Sequence, residues 1–361
     1  MRSKIQFKYF TLAMAVGLSF AVLLYSCKKS ATFTPPVTTT LSQAIDSAKW
    51  YLANTSEGTQ PGRYTKGTQT TLQAALTAAQ GVLASASTTA TQAQVTAATA
   101  NLNAAIAAYE SGLITPIAAT SLVAYWKFNG NTNDSSGNGH NGTLEVGPAG
   151  LAAVPGPVPA LTNDRFGNAN SAYHFSGGGN IDVPYSPSLN PKAITISVWE
   201  RQDTAGRTDH RSDCYMVSLS RWNGYKFQMQ PTRPFLTVNT DSADIDHDAA
   251  LDIMIGTTTG ALPWHHLVAT YDGVSNENFY VDGTLVKNWN TLKGAMKTIN
   301  PVYDLAIGSD LTNSAYSPTM TDPNYIGYGG YWTGDLDDIM IYNVALTATQ
   351  VTQIYNQQLT Q

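Results

Sequence analysis

The chain has 361 residues, with 20 Lys and Arg against 25 Asp and Glu, a net charge of −5 and only 12% charged residues. That balance argues against a nucleic-acid partner, which needs a basic face. The length and a hydrophobic content of 43% leave room for two packed domains.

Arg2, Lys4 and Lys8 precede an apolar run from Phe10 to Tyr25, which ends in Leu24-Tyr25-Ser26-Cys27. A charged start, a short apolar stretch and a small residue before cysteine are the parts of an export signal. A transmembrane anchor is the competing reading, but the run is short for a span of about 20 residues. The stretch resembles the lipobox of bacterial lipoproteins. By that resemblance residues 1–26 are a signal peptide, Cys27 is acylated, and the protein sits in the cell envelope, lipid-anchored to the outer membrane of a Gram-negative bacterium. Loss of Arg2, Lys4 and Lys8 then takes the net charge from −5 to −8. Cys214 is left without a disulfide partner and reads as a small core or loop residue. His210 lies four positions away, without a recognisable cysteine-hydrolase pattern.

Residues 27–40, with Pro35-Pro36 and a run of threonines, have too little apolar content to pack and read as a tether. Over 41–115 the spacing predicts three helices: Leu41, Ile45, Ala48 and Leu52; then Leu72, Ala75, Leu76, Ala79 and Val82; then Val95, Ala98, Leu102, Ala105 and Ala108. Pro61-Gly62-Arg63-Tyr64, Leu72-Gln-Ala-Ala75 and Leu102-Asn-Ala-Ala-Ile106 resemble the FIVAR-type three-helix repeats of bacterial surface proteins. The resemblance implies a spacer, and nothing in this segment has catalytic spacing.

From Ser121 the chain turns to short strands, glycine and aromatics. Strands are expected at Ala124–Phe128, Ala172–Phe175, Asn180–Val183, Ala193–Trp199, Cys214–Ser220, Tyr225–Met229, Leu236–Thr240, Trp264–Tyr271, Asn278–Val281, Tyr303–Ile307 and Gly334–Tyr342. Asn223-Gly224, Asp272-Gly273 and Asp282-Gly283 punctuate them as turns, and Thr347–Gln357 reads as a short closing helix. The expected fold is mainly β: a two-sheet antiparallel sandwich over 121–361, behind an N-terminal three-helix bundle. His174-Phe175, Thr195-Ile-Ser-Val-Trp199, Trp264-His-His-Leu-Val-Ala-Thr-Tyr-Asp-Gly273, Tyr280-Val-Asp-Gly283 and Gly334-Asp-Leu-Asp-Asp338 stand in the order of laminin-G-like, concanavalin A-type jelly-roll domains. The resemblance spans the domain and implies a jelly roll with a lectin-like role. Loops at Leu151–Asn170 and Thr240–Gly260 are longer than usual for that pattern.

Calcium takes oxygens from carboxylates, amides, carbonyls and water, and a polar loop with glycines can turn several of them inward. Asn129-Gly-Asn-Thr-Asn-Asp134 offers such a loop, and Asp337-Asp338 offers charge. In the family the first and last strands lie side by side. By that resemblance a structural calcium ion is expected on Asn129, Asn131, Asp134 and Asp337, with Gly130 and Thr143 contributing backbone oxygens. The alternative is a plain Asn-Gly turn without an ion. Strand alternation is expected to point only one of Asp337 and Asp338 at the ion. Asp241, Asp244, Asp246, Asp248 and Asp252 fit no EF-hand and read as a solvated loop, with a second cation as the lesser reading. His265-His266 point to opposite faces of a strand, so they suit structural roles better than a zinc site.

Sugar rings stack their CH faces on aromatics while Asn, Asp and Arg bond the hydroxyls. Tyr325, Tyr328, Tyr331 and Trp332 crowd a glycine-rich stretch, and Arg221-Trp222-Asn223 and Trp289 sit on other loops. Tyr325, Tyr328, Tyr331, Trp332 and Trp222 are therefore the candidate ligand residues, with core packing as the competing role. Catalytic residues are not expected. Glu57, Glu110, Glu145, Glu200 and Glu277 are the only glutamates, and none sits in a glucanase-like carboxylate run. The expected function is glycan or polysaccharide binding by an envelope lipoprotein. The alternative is an adhesion or scaffold module with a protein partner, and a glycoside hydrolase stands behind both.

Overall fold

The computed structural model describes residues 33–203, 214–230, 232–242, 244–253, 263–291 and 293–360. Cys27 and His210 lie outside them. The chain divides into two units, one built from residues up to Asn54 and Thr70–Ala107, the other from Thr55–Gln69 and Ala108 onward.

The first unit takes its structure from α1 (Thr39–Asn54), α2 (Thr68–Ala84) and most of α3 (Gln92–Ser111). Leu41, Ile45 and Ala48 on α1, Leu72, Leu76 and Ala79 on α2, and Val95 and Leu102 on α3 are buried, as three- and four-residue spacing demands of an amphipathic helix. Among the described residues no helix is long and apolar enough to cross a membrane.

The second unit contains β1 (Leu122–Trp126), β2 (Thr143–Glu145), β3 (Ala160–Thr162), β4 (Ala172–Phe175), β5 (Asn180–Val183), β6 (Ile194–Gln202), β7 (Cys214–Leu219), β8 (Tyr225–Met229), β9 (Pro234–Asn239), β10 (Asp244–Asp248), β11 (His265–Tyr271), β12 (Glu277–Val281), β13 (Thr284–Trp289), β14 (Leu305–Ile307), β15 (Gly334–Tyr342) and the closing helix α4 (Ala348–Gln358). Among the described residues they form two antiparallel sheets. One runs β13-β12-β11-β6-β15-β4-β3, with β1 also beside β15; the other runs β10-β9-β8-β7-β14-β5-β2. The expected sandwich is the observed fold. Asp282 and Gly283 both take positive φ (50° and 74°), the conformation a two-residue hairpin needs between β12 and β13.

Alternation explains the layers. Ile194, Ile196 and Val198 of β6 enter the core between the sheets, where they meet Phe175, Val217, Phe227, Leu267 and Ile341. Each such side chain, fully buried, contributes about 1.5–3 kcal/mol. Thr195, Ser197 and Trp199 face the other way, and α4 covers that surface. Its Val351 and Ile354 pack with Tyr125, Val268, Met340 and Tyr342, while Thr347 and Gln350 close a capping box at its start. Cys214 is buried in the core, in agreement with its reading as a packing residue.

Two sequence expectations are corrected. Asp244–Asp248 is not part of a solvated loop but forms the edge strand β10, paired with β9, where charge at Asp246 and Asp248 deters further pairing. Asp337 and Asp338 do not obey strand alternation. The register between β15 and β6 slips between Asp337 and Met340, and Asp338 takes φ 46°, so the bulge brings both carboxylates to one cation. Arg165 donates to Asp337 Oδ2 at 2.7 Å, to Asp338 Oδ2 at 2.8 Å and to the Gln358 carbonyl at 2.7 Å.

Glu200, on the core side of β6, is 3% exposed, and among the described residues its Oε2 has no partner. Burial pushes its carboxyl up to about 8 from the usual 4.5. A carboxyl raised on folding contributes stability below its unfolded value, and this is lost as pH climbs through the folded value. Stability should therefore fall between about pH 5 and about pH 8.5, a fall to which the buried Glu277 and Asp337 carboxyls, also raised, contribute; Glu200→Gln should make it shallower, with a higher melting temperature than the wild type at the upper end. Parallel profiles for the two proteins would show that Glu200 is not the group responsible.

Candidate functional site

The turn between β7 and β8 is Ser220-Arg221-Trp222-Asn223-Gly224. Ser220 (φ 60°) and Arg221 (φ 50°) both occupy the left-handed region, where non-glycine residues cost about 1–3 kcal/mol each unless neighbours fix them. The neighbour is the loop 309–331. It closes at its base through a Ser309–Tyr331 bridge and a Trp332 N–H donated to the Gly308 carbonyl at 2.8 Å. Asp310, fully buried in that loop, accepts from Arg221 Nε, from the Tyr316 hydroxyl and from the Gly330 N–H (3.1 Å). Arg221 Nη1 donates to the Pro323 carbonyl at 2.9 Å. Burial, then the Asp310 carboxylate, raise the Tyr316 hydroxyl well above its ordinary value, so it stays a donor.

Between this turn and the loop lies a cavity of about 400 Å³, within the usual range for ligand sites. Trp222, Tyr303, Pro301 and Pro323 supply apolar wall; Asn223, Asn239, Asn300, Asp322 and Asn324 supply polar groups; Ser220 and Arg221 line its base. Trp222 is 44% exposed, and the Lys226 ammonium sits 3.0 Å from its ring centroid, a cation–π contact that braces one face of the indole. Arg221 is only 1% exposed, yet among the described residues its Nη2 has no hydrogen-bond partner; nor does the buried Ser220 Oγ. Buried donors left unpaired cost about 1–3 kcal/mol, a cost that the packing of the turn against the loop 309–331 offsets.

Of the five aromatics expected to bind ligand, only Trp222 lines this cavity. Trp332 is corrected outright: it is fully buried in the core between the sheets. Tyr331 is corrected likewise, buried against Leu151 and Ala152. Tyr325 and Tyr328 pack edge to face at 5.1 Å on the loop surface, and Tyr328 is 57% exposed, but neither lines the cavity. Trp289 stacks on His247 and donates to the Asp248 carbonyl at 2.8 Å, a structural role. The sequence reading noted Arg221 and Asn223 only as neighbours of Trp222, and missed Ser220, Asn239, Asn300, Tyr303 and Asp322.

The two carboxylates of the expected calcium set are held by protein groups. Asp134 Oδ1 accepts from Tyr125 N and Ser136 N, and Oδ2 accepts from Ser136 Oγ and His140 N, at 2.8–3.0 Å. These four donors fill the acceptor positions of a carboxylate. Burial opposes ionisation of Asp134, but those hydrogen bonds outweigh it and hold the carboxyl below its ordinary value. Asp337 is committed to Arg165 and to the Asp338 N–H, so the two aspartates serve separate networks. Asn131 Oδ1 accepts from Asn133 N, the Asn129 carbonyl accepts from Asn131, and Thr143 belongs to the β2–β5 ladder. Among the described residues no group of three or more His, Cys, Asp and Glu is placed to hold a metal. His265 pairs with Asp282 at 2.9 Å, while His266 bonds Ser197, and burial lowers it to about 3, so it stays neutral.

Residues 175–352 match the family model of the concanavalin A-like lectin/glucanases superfamily. Similar folds occur in domain 4 of AbnA, a GH43 extracellular arabinanase from Geobacillus stearothermophilus, in complex with arabinotriose. It shares 20% identity over 65% of this chain and 98% of that one, with a TM-score of 0.46. The binding domain of Paraclostridial Mosquitocidal Protein 1 (17% identity, 67% and 53% covered, TM-score 0.47) and that of botulinum neurotoxin serotype D (14%, 67% and 52%, 0.45) are also similar. The chain spans about half of each of these two. Curated proteins give no match.

Two outcomes follow from the placements. Trp332→Ala should lower unfolding free energy by about 3–5 kcal/mol in denaturant titration, whereas Trp222→Ala should cost less than about 1 kcal/mol. A chelator should leave the melting temperature unchanged; a drop of several degrees that calcium reverses would restore the ion to the turn at Asp134.

Proposed function

We propose that the sandwich binds carbohydrate without cleaving it, and that the cavity at Trp222 is where it does so. The observation that carries this reading is the pairing of an exposed, braced indole, Trp222, with the polar groups of Asn223, Asn239, Asn300, Asp322 and Asn324 on the wall of one cavity. Stacking on Trp222 and Tyr303 supplies area, and the polar wall supplies orientation. The superfamily match over 175–352 supports a lectin-like role as readily as a hydrolytic one. Binding is favoured because hydrolysis requires two carboxyl groups astride the bond. Among the described residues Asp322 is the one carboxylate on this wall. Glu200 and Glu277 are buried elsewhere in the sandwich.

In this reading Cys27 carries the lipid anchor of an envelope protein, residues 27–40 tether it, and the helices of the FIVAR-like segment act as a spacer. The Asn, Asp and Arg groups beside Trp222 favour a glycan over a protein partner.

The test is retention of the full-length chain, in mild detergent, on a panel of immobilised polysaccharides. Trp222→Ala and Tyr303→Ala should each weaken retention by about tenfold or more, in keeping with the loss of a stacked ring. Retention of no polysaccharide, or retention indifferent to both substitutions, would reject the proposal. Reducing ends released from a retained glycan would reject its non-catalytic half.

A further inference from the structure

We propose that His247 and Glu277 form a proton-controlled latch, which holds one open side of the sandwich shut and loosens when the pair loses its proton.

β10 and β13 are outermost strands of the two sheets, and among the described residues no strand pairing joins the sheets there. Side chains do the joining. His247 of β10 meets Glu277 at the start of β12, with Nδ1 and Oε2 2.6 Å apart. The same imidazole stacks on Trp289 of β13, with 4.7 Å between centroids and 7° between planes, and the indole donates to the Asp248 carbonyl of β10 at 2.8 Å. Each contact runs from one sheet to the other, and all of them lie at the His247 ring or beside it.

A single proton keeps the acid and the imidazole neutral as a pair, whichever of the two carries it. Removing it leaves a carboxylate whose side chain is 0% exposed and whose Oε1 has no partner among the described residues. A buried charge without a counter-charge is strongly disfavoured. Adding a second proton is the milder event. The His247 side chain is 12% exposed and its Nε2 lies 3.2 Å from the hydroxyl of exposed Thr291, so a positive charge there reaches water.

The surrounding charges act in the same sense. Asp246 and Asp248 flank His247 on β10, while Arg233, on the β8–β9 turn, is engaged with Asp248 (3.5 Å) and Asp252 (2.9 Å). Lys287 of β13 lies 4.0 Å from the centroid of the Trp289 ring. Tyr271 of β11, the register partner of Glu277, stays a neutral hydroxyl because burial raises it to about 12. Burial lifts the Glu277 carboxyl to about 7 in spite of His247, and Asp246 adds to the rise. A carboxyl raised on folding contributes stability below its unfolded value and loses it as pH climbs through the folded one. The latch therefore holds below neutral pH and loosens above it, uncovering Trp289 and the part of the core against which it packs. An apolar pair in the same places would close this side at every pH; a titratable pair makes closure conditional.

The test is amide hydrogen exchange of the full-length chain in mild detergent, with wild type, Glu277→Gln and Glu200→Gln compared after correction for intrinsic rates. Between about pH 6 and about pH 8.5, wild-type peptides from β10 and from β12–β13 should gain about tenfold or more in exchange, and peptides from β6 and β15 less. Glu277→Gln keeps an oxygen for the His247 ring but removes the titration, so its β10 peptides should show no such gain. Glu200→Gln should retain it, which separates the latch from the general loss of stability with pH. An equal gain in β10 and β6, or a gain in β10 that survives Glu277→Gln, overturns the proposal. Should Glu277→Gln not fold, the wild-type comparison of β10 with β6 decides.

Discussion

The last strand, β15, is the member on which the sandwich depends, and the bulge at Asp338 is what makes it serve. Along one edge β15 pairs with β6; along the other it pairs first with β4 and then with β1. A strand that joins three others must fix its register firmly, because a slip of one residue would move Leu336, Ile339 and Ile341 out of the core. The bulge pins that register and turns Asp337 and Asp338 toward Arg165. Arg165 in turn lies 4.4 Å over the Trp199 ring and reaches the end of α4, while Trp199 Nε1 donates to Gln358. Burial and the adjacent Asp338 carboxylate hold Asp337 above the usual carboxylate range in spite of Arg165. One guanidinium therefore joins the loop 163–171, the central sheet and the closing helix.

How much of this could be read from the residues depended on how local the cause was. Ile194 to Trp199 alternate, so β6 was legible, and the Asp282-Gly283 hairpin announced itself by residue type. β2 and β3 have three residues each, too few to show a period. β10 was hidden because its aspartates look like a loop, although an edge strand is where such charge belongs. Alternation was the wrong rule at Asp337-Asp338, where the bulge breaks it.

The site was legible only in part, and for a non-local reason. Trp332 looked like a ligand platform among glycines, but it directly follows the point where the loop closes, and there the chain re-enters the core. Trp222 was noticed as one aromatic among several. What sets it apart, the Arg221–Asp310 pair, joins residues 89 positions apart, and no spacing rule links them.

That pair is hard to explain by stability. Taking two charges out of water costs several kcal/mol per ion, and replacing a buried ion pair by apolar residues is often neutral or stabilising. Nor does burial of Arg221 satisfy its donors, since among the described residues Nη2 remains unpaired. The arrangement makes sense if orientation is what the pair supplies. Asp310 is itself held by Tyr316 and Gly330, so the loop 309–331 positions Asp310, Asp310 positions Arg221, and Arg221 fixes the turn that carries Trp222 to the cavity wall. The two left-handed residues at the turn fit the same account: strain there persists because the surrounding contacts determine the conformation, and it aims a side chain that a relaxed turn would release.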